Sequence, residues 1–307
     1  MRVCFDSRPA AERGGIGRYA RCLLEALLPE AAKRGVSVVE GRHPRSDVDL
    51  FHSPWMDGAL LRPRVPMVVT VHDLVHQKRR GEFLRAGLRG GMRSLAINRA
   101  ARLICPTNAV ADDAARLLRF DRDRIDVIAE APASAFYPRE AREVGSARRR
   151  HAVPEHYLLW VGDLRHPDPY RRIPALVHAP RELPLVLVGA AGPWAHELEG
   201  VIVTGEVDDD ELAALYTGAH ALVLPSEEEG FGLPAVEALA CGTPVVAADG
   251  PSLREVLDGR ATFVEAGDVA GLVAAAHSAR RPAPAPPAWT WDDAAAATWD
   301  VYERALG

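Results

Sequence analysis

Short apolar runs alternate with longer amphipathic stretches almost from end to end of the chain, and that alternation leaves few folds open. The first run, residues 1–5, reads as a buried strand. A glycine loop follows at Gly14-Gly15-Ile16-Gly17, and residues 18–33 then carry Tyr19, Cys22, Leu23, Ala26 and Leu27 at helical spacing. Further strand-like runs fall at 36–39, 50–52, 67–71, 103–106 and 125–129, with helices predicted over 82–101 and 109–118. A second series begins at 157–161 and continues through 185–188, 201–203, 221–224, 244–247 and 261–264. Strands alternating with helices in this way predict parallel sheets covered on both faces.

A chain of 307 residues suits two domains of ordinary size. Residues 138–154 are rich in Arg and Glu and poor in apolar side chains, so the boundary is expected there. That gives a first domain over 1–140, a linker over 141–154 and a second domain over 155–280. Residues 281–287, Arg-Pro-Ala-Pro-Ala-Pro-Pro, form a stiff extended connector. It leads into a last helix over 291–306, with Trp291, Ala294, Ala295, Thr298 and Val301 or Tyr302 on one face. The expected architecture is α/β, two doubly wound domains with the terminal helix packed at or across their interface. Ligands of open α/β sheets collect at strand carboxyl ends, so the loops facing the interdomain cleft are expected to hold the site.

Composition narrows the function classes. Lys+Arg of 37 against Asp+Glu of 42 leaves a net charge of −5, which gives no global electrostatic reason to bind nucleic acid. Lys33 and Lys78 are the only lysines, so Schiff-base or lysine–phosphate chemistry has two candidates at most. Cys4, Cys22, Cys105 and Cys241 are scattered without metal-ligand spacing and read as buried, reduced thiols. No signal-peptide pattern and no apolar stretch of bilayer-spanning length is found, which points to the cytoplasm. The clusters 139–150 and 78–93 read as solvated basic helix faces. Peripheral contact with anionic lipid, or a phosphorylated acceptor, is the open alternative.

The densest chemical signal runs from Leu224 to Pro244. A strand ends at Leu224, a glycine loop follows through Glu229-Gly230-Phe231-Gly232-Leu233, and a helix begins with Pro234 in its first turn and stops at Gly242. A glycine loop feeding a helix N-terminus aims free amides and the positive end of the helix dipole at one point, which makes an anion site suited to a diphosphate. Glu229 and Glu237, with seven residues between them, can flank one ligand, and each ionised carboxylate accepts hydrogen bonds from vicinal hydroxyls. A solvated acidic loop and a first-turn glutamate complementing the dipole are the plainer readings of the same residues.

The string as a whole resembles the retaining glycosyltransferases of family four (glycosyl transferases group 1), which have the GT-B architecture of two Rossmann-like domains. The resemblance is carried by the paired glutamates around Gly230-Phe-Gly-Leu-Pro234, by Ala240-Cys-Gly-Thr-Pro-Val-Val246 and by Ser252-Leu-Arg-Glu255. Upstream it extends over Gly14-Gly-Ile-Gly-Arg-Tyr19, Phe51-His-Ser-Pro54, Thr70-Val-His-Asp-Leu74 and Glu211-Leu-Ala-Ala-Leu-Tyr216. It implies transfer of a sugar from a nucleoside-diphosphate sugar to a hydroxyl acceptor, with retention, without metal or other cofactor. By the same resemblance, Glu229 contacts the donor sugar and Glu237 the ribose hydroxyls. Gly230, Phe231, Gly232 and Leu233 offer backbone to sugar and phosphates, and the 204–207 loop ending at Val207 meets the nucleobase. Gly15 approaches the diphosphate, and His72 touches the sugar and leaving phosphate. The strings at 14–19 and 71–74 look most like bacterial mannosyltransferases, which favours mannose from GDP-mannose.

One departure stands out. Family members carry an Arg-Lys phosphate clamp after the first strand of the second domain, where this chain has Pro167-Asp168. Arg165, Arg171 and Arg172 are the candidate replacements, with Arg165 favoured. The departure keeps a second class open, a catalytically silent GT-B protein that binds a nucleotide sugar or a protein partner. A nicotinamide-linked dehydrogenase is disfavoured, because Gly14-Gly-Ile-Gly17 lacks the GxGxxG spacing.

Overall fold

The structure, a computed structural model, describes residues 1–78 and 90–307. It divides into two compact units: unit 1 is Met1–Ala131 with Trp289–Gly307, and unit 2 is Pro132–Ala288. Strands β1 (Arg2–Phe5), β2 (Ser37–Glu40), β3 (Leu50–Ser53), β4 (Met67–Thr70), β5 (Arg102–Cys105) and β6 (Ile125–Val127) belong to unit 1. Unit 2 contains β7 (Leu158–Val161), β8 (Leu185–Val188), β9 (Val201–Gly205), β10 (Ala221–Leu224), β11 (Val245–Ala248) and β12 (Thr262–Val264). The helices used below are α1 (Gly15–Arg34), α2 (Asn108–Leu117), α3 (Ala141–Arg150), α4 (Asp209–Gly218), α5 (Leu233–Ala240), α6 (Val269–His277) and α7 (Trp291–Leu306).

Both sheets are parallel throughout. Unit 1 runs β2-β1-β3-β4-β5-β6 and unit 2 runs β12-β11-β10-β7-β8-β9. In each, the strand order reverses once, between β1 and β3 in unit 1 and between β7 and β10 in unit 2. Side chains of successive strand residues point to opposite faces, and unit 1 shows this directly. Val3, Phe5, Leu50 and Val68 pack with α1 and α7, whereas Cys4, Phe51, Met67 and Val69 pack with Val110, Ala111 and Ala114 of α2. In unit 2, Trp160, Leu187 and Val223 meet Leu272, Val273 and Ala276 of α6. Being covered on both sides is what makes these strands read as unbroken apolar runs.

The segment 141–154 was expected as a linker, yet its first ten residues form helix α3 within unit 2, and the chain passes between units at 131–132 and 288–289. Charge misled the reading here. Glu140 and Glu143 make a capping box, Ala147 is buried, and the arginines pair with the acidic first turn of α4: Arg139 with Asp210 at 2.6 Å, and Arg150 with Glu211. The first part of the helix expected over 82–101, up to residue 89, lies outside the described residues, as does most of the 78–93 basic cluster, and 90–97 is helical. All four cysteines are free thiols; Cys22 is half-buried and the other three are buried. Among the described residues no helix is long and apolar enough to cross a membrane.

Helix α7 begins as the sequence predicts, with a capping box between Thr290 and Asp293, and it packs along α1 in unit 1. Its Trp299, Val301 and Tyr302 are fully buried with Leu23 and Leu27 of α1. Beneath them lies a chain of buried polar contacts. The Tyr302 hydroxyl is 2.6 Å from Nδ1 of His52, Nε2 of His52 is 3.0 Å from Oγ1 of Thr70, and the Tyr19 hydroxyl is 3.2 Å from the same Oγ1. Burial, aided by the charge of nearby His72, pushes the His52 pKa down to about 3 and keeps the ring neutral.

Candidate functional site

In unit 2 the reversal of strand order puts the loops after β7 and β10 side by side at the carboxyl edge of the sheet, the position where open α/β sheets bind ligands. The β10 loop carries Glu229, half-buried, then Gly230, Phe231 and Gly232, all buried, and α5 begins at Leu233. Gly232 caps the helix with φ +88°, a left-handed conformation that side chains other than glycine adopt at a cost. The added Cβ of Gly232→Ala would also sit 2.5 Å from Cδ2 of Leu253. We expect Gly232→Ala to lose about 1–2 kcal/mol of stability from backbone strain. Denaturant melts check the loss.

Glu237 lies on α5, fully buried, and its Oε2 accepts a hydrogen bond of 3.1 Å from the Tyr216 hydroxyl of α4. Tyr216 is itself fully buried, edge-on to Phe136, and its carbonyl accepts from the Thr243 hydroxyl. The second glutamate is thus oriented by a tyrosine that the sequence reading quoted only as part of a matching string. Ser226, two residues past the end of β10, is buried with no hydrogen-bond partner for its hydroxyl among the described residues.

The β7 loop explains the departure at Pro167-Asp168. Asp168 caps the short turn Pro169–Arg171, accepting from the Tyr170 amide at 2.9 Å, and its other oxygen pairs with Arg171 at 3.3 Å. Arg165 is turned onto Asp163, which it grips through Nε and Nη2, the latter at 2.6 Å. Burial opposes charge on Asp163, but the Arg165 hydrogen bonds outweigh it and hold its carboxyl below the ordinary range. Arg171 lies over the Trp160 ring, and Arg172 reaches the β10 loop to pair with Glu227. All three candidate arginines therefore stand on the β7 loop, and Arg172 is the one that ties it to the loop bearing Glu229. Val207 follows β9 at the same sheet edge, two strands beyond β7.

Unit 1 places its two candidates on its own carboxyl edge. Gly15 opens α1 just after β1, and His72 follows β4. Tyr19 of α1 lies edge-on to the His72 ring at 4.5 Å. The His72 nitrogens meet Glu130 and the Pro54 carbonyl. At the reversal between β1 and β3, buried Asp6 accepts two hydrogen bonds from the Arg8 side chain, at 2.8 and 2.6 Å, one from the Arg8 amide at 3.3 Å and one from the Trp55 indole at 3.0 Å. Burial works against the Asp6 charge, yet the Arg8 and Trp55 hydrogen bonds hold its pKa below the usual carboxylate value. The sequence reading missed Asp6, Arg8, Trp55 and Glu130. Their partners lie far along the chain or carry no spacing signal.

Two family models match: "Glycosyl transferases group 1" over residues 155–279 and "Glycosyltransferase Family 4" over residues 27–130. A D-inositol 3-phosphate glycosyltransferase of Xylanimonas cellulosilytica is 32% identical over 88% of this chain and 75% of that protein. The chain belongs to the family 4 glycosyltransferases. Another relative of this glycosyltransferase, the Escherichia coli O-antigen chain mannosyltransferase B, is 29% identical over 67% of this chain and 59% of its own length. Among solved structures, sucrose-phosphate synthase of Thermosynechococcus elongatus matches with a TM-score of 0.75, 19% identity, and coverage of 99% of this chain and 98% of that one. Anabaena HepE in complex with UDP and glucose matches with a TM-score of 0.69, 17% identity and coverage of 99% and 95%. The fold of the glycosyltransferase is accordingly GT-B, as the sequence led one to expect.

Proposed function

We propose that this glycosyltransferase moves a hexose from a nucleoside-diphosphate sugar to a hydroxyl acceptor, with retention of configuration and without a metal. The observation that carries the reading is the β10–α5 turn: a glycine loop that feeds a helix N-terminus, a left-handed Gly232 and the Glu229/Glu237 pair, at the point of strand reversal in unit 2. There the diphosphate rests on the amides of 231–233, Glu229 faces the sugar and Glu237, steadied by Tyr216, faces the ribose. Arg165 contributes to the phosphate clamp, with Arg172 as its neighbour on the same loop, and backbone at Val207 meets the base. The family resemblance assigns Gly15 to the diphosphate and His72 to the sugar and leaving phosphate.

Breaking a glycosyl–diphosphate bond builds positive charge on the anomeric carbon and negative charge on the departing phosphate. Amides, helix dipole and cations stabilise the second, while carboxylate and carbonyl oxygens stabilise the first. In this reading the acceptor attacks the face from which the phosphate leaves, and the departing phosphate takes its proton. The mannosyltransferase-like strings at 14–19 and 71–74, together with the E. coli mannosyltransferase relative, support mannose from GDP-mannose as the donor. The UDP-bound neighbour makes UDP-glucose the alternative to test beside it.

A thermal-shift panel of UDP and GDP hexoses checks the assignment. A ligand at 100-fold above its Kd should stabilise by about 2.7 kcal/mol, and donor hydrolysis should persist in EDTA. Donor binding with no turnover would return the silent alternative, and loss of activity in EDTA would remove the metal-free mechanism.

A further inference from the structure

His72 stands just past β4, and both of its ring nitrogens meet acceptors. Nδ1 is 3.1 Å from Oε1 of Glu130, and Nε2 is 2.9 Å from the Pro54 carbonyl oxygen. A carbonyl oxygen only accepts, so Nε2 must carry a proton. An ionised carboxylate also only accepts, so Nδ1 carries one too. The side chain of Glu130 is 4% exposed and that of His72 14%, so the contact sits largely out of water. A buried carboxylate is costly unless a cation or donor faces it, and His72 is placed to be both.

We propose that Glu130 is a positioning residue that fixes His72 as an imidazolium, with both N–H groups committed to the protein. The proposal rests on the reading that assigns His72 to the donor, and it specifies the role. An imidazolium with both protons bonded has no lone pair with which to take the acceptor's proton. His72 then acts through its standing positive charge, and proton removal falls to the departing phosphate. A fixed cation also suits a chain whose lysines number two, Lys33 and Lys78.

The other groups facing the ring agree. Burial by itself opposes charge on His72, but the hydrogen bond and charge of Glu130, the Pro54 carbonyl and neighbouring Asp73 outweigh it and raise the pKa. From α1, Tyr19 presents a ring whose hydroxyl contacts Thr70 and is kept un-ionised by burial. From β3, His52 is neutral and adds no competing charge at physiological pH.

Selective ¹⁵N-histidine labelling reads the ring directly, with His72 assigned among the 11 histidines by the signal lost in His72→Gln. Wild type should show both ring nitrogens protonated at pH 7 and titrate above the ordinary histidine value of about 6.5. Glu130→Gln should give a neutral single tautomer titrating below that value, because burial is then unopposed. Glu130→Asp, which keeps the charge, should recover most of the shift. In donor hydrolysis, the wild-type rate should fall as pH rises through the His72 titration. Glu130→Gln should move that alkaline limb to lower pH and cut kcat at pH 7.5 by about 10- to 100-fold with little change in donor KM. A neutral His72 in the wild-type protein overturns the proposal whether or not the variants fold, and so does an unchanged titration in folded Glu130→Gln. Should the wild-type protein turn over no nucleotide sugar while His72 is doubly protonated, the transferase mechanism fails and the charge-fixing role stands.

Discussion

Glu229→Gln should lower donor hydrolysis and transfer by on the order of 10²–10³-fold while leaving the protein folded. The substitution keeps the side chain's size and removes its charge, so it isolates the electrostatic contribution to a transition state with a positive anomeric carbon. Glu229 lies half-buried on the loop after β10, outside the sheet and the helix. Steady-state rates with a nucleotide sugar, set beside a thermal melt, separate the two effects. Turnover close to that of wild type would take Glu229 out of the mechanism. A large fall in melting temperature would assign it to structure instead.

Trp299→Ala should cost about 3–5 kcal/mol, the usual range for emptying a large, fully buried aromatic site. Trp299 is 0% exposed, lies edge-on to Tyr302 with ring centroids 5.0 Å apart, and sits in the cluster that joins α7 to α1. Because Tyr302 reaches His52 and through it Thr70, the cavity would also loosen the buried polar contacts that end at Tyr19, beside His72. In a domain of this size a loss of that order lowers the melting temperature by roughly 6–20 °C. Calorimetry should resolve the affected transition, and a shift below about 2 °C would mean that α7 contributes little to holding unit 1 together.

Much of the architecture was legible because parallel strands buried on both faces leave continuous apolar runs. β8 and β10 match their sequence ranges, and the others differ by a residue or two. The β10–α5 turn was legible for a different reason. Its glycines and proline mark a change of backbone geometry, and α5 does stop just before Gly242, which has φ +73°. What the sequence hid depends on contacts between distant residues. Nothing near Glu130 in the chain announces His72, which is 58 positions away, and nothing near Arg150 announces Glu211. For the same reason α3 read as a linker: its charges are satisfied by α4, a partner invisible to local composition. Asp168, which looked like a lost phosphate contact, serves its own turn.

The route of the backbone has a consequence for biogenesis. Unit 1 is discontinuous, since its α7 is reached only after the whole of Pro132–Ala288 has been made. At the ribosome's pace of about 5–20 residues per second, the apolar flank of α1 waits roughly 14–54 s for its cover. During that interval Leu23 and Leu27 face solvent or a chaperone, and the nascent chain is most prone to aggregate then. A chain released after Ala288 should therefore hold a folded second half and an open, protease-sensitive first half.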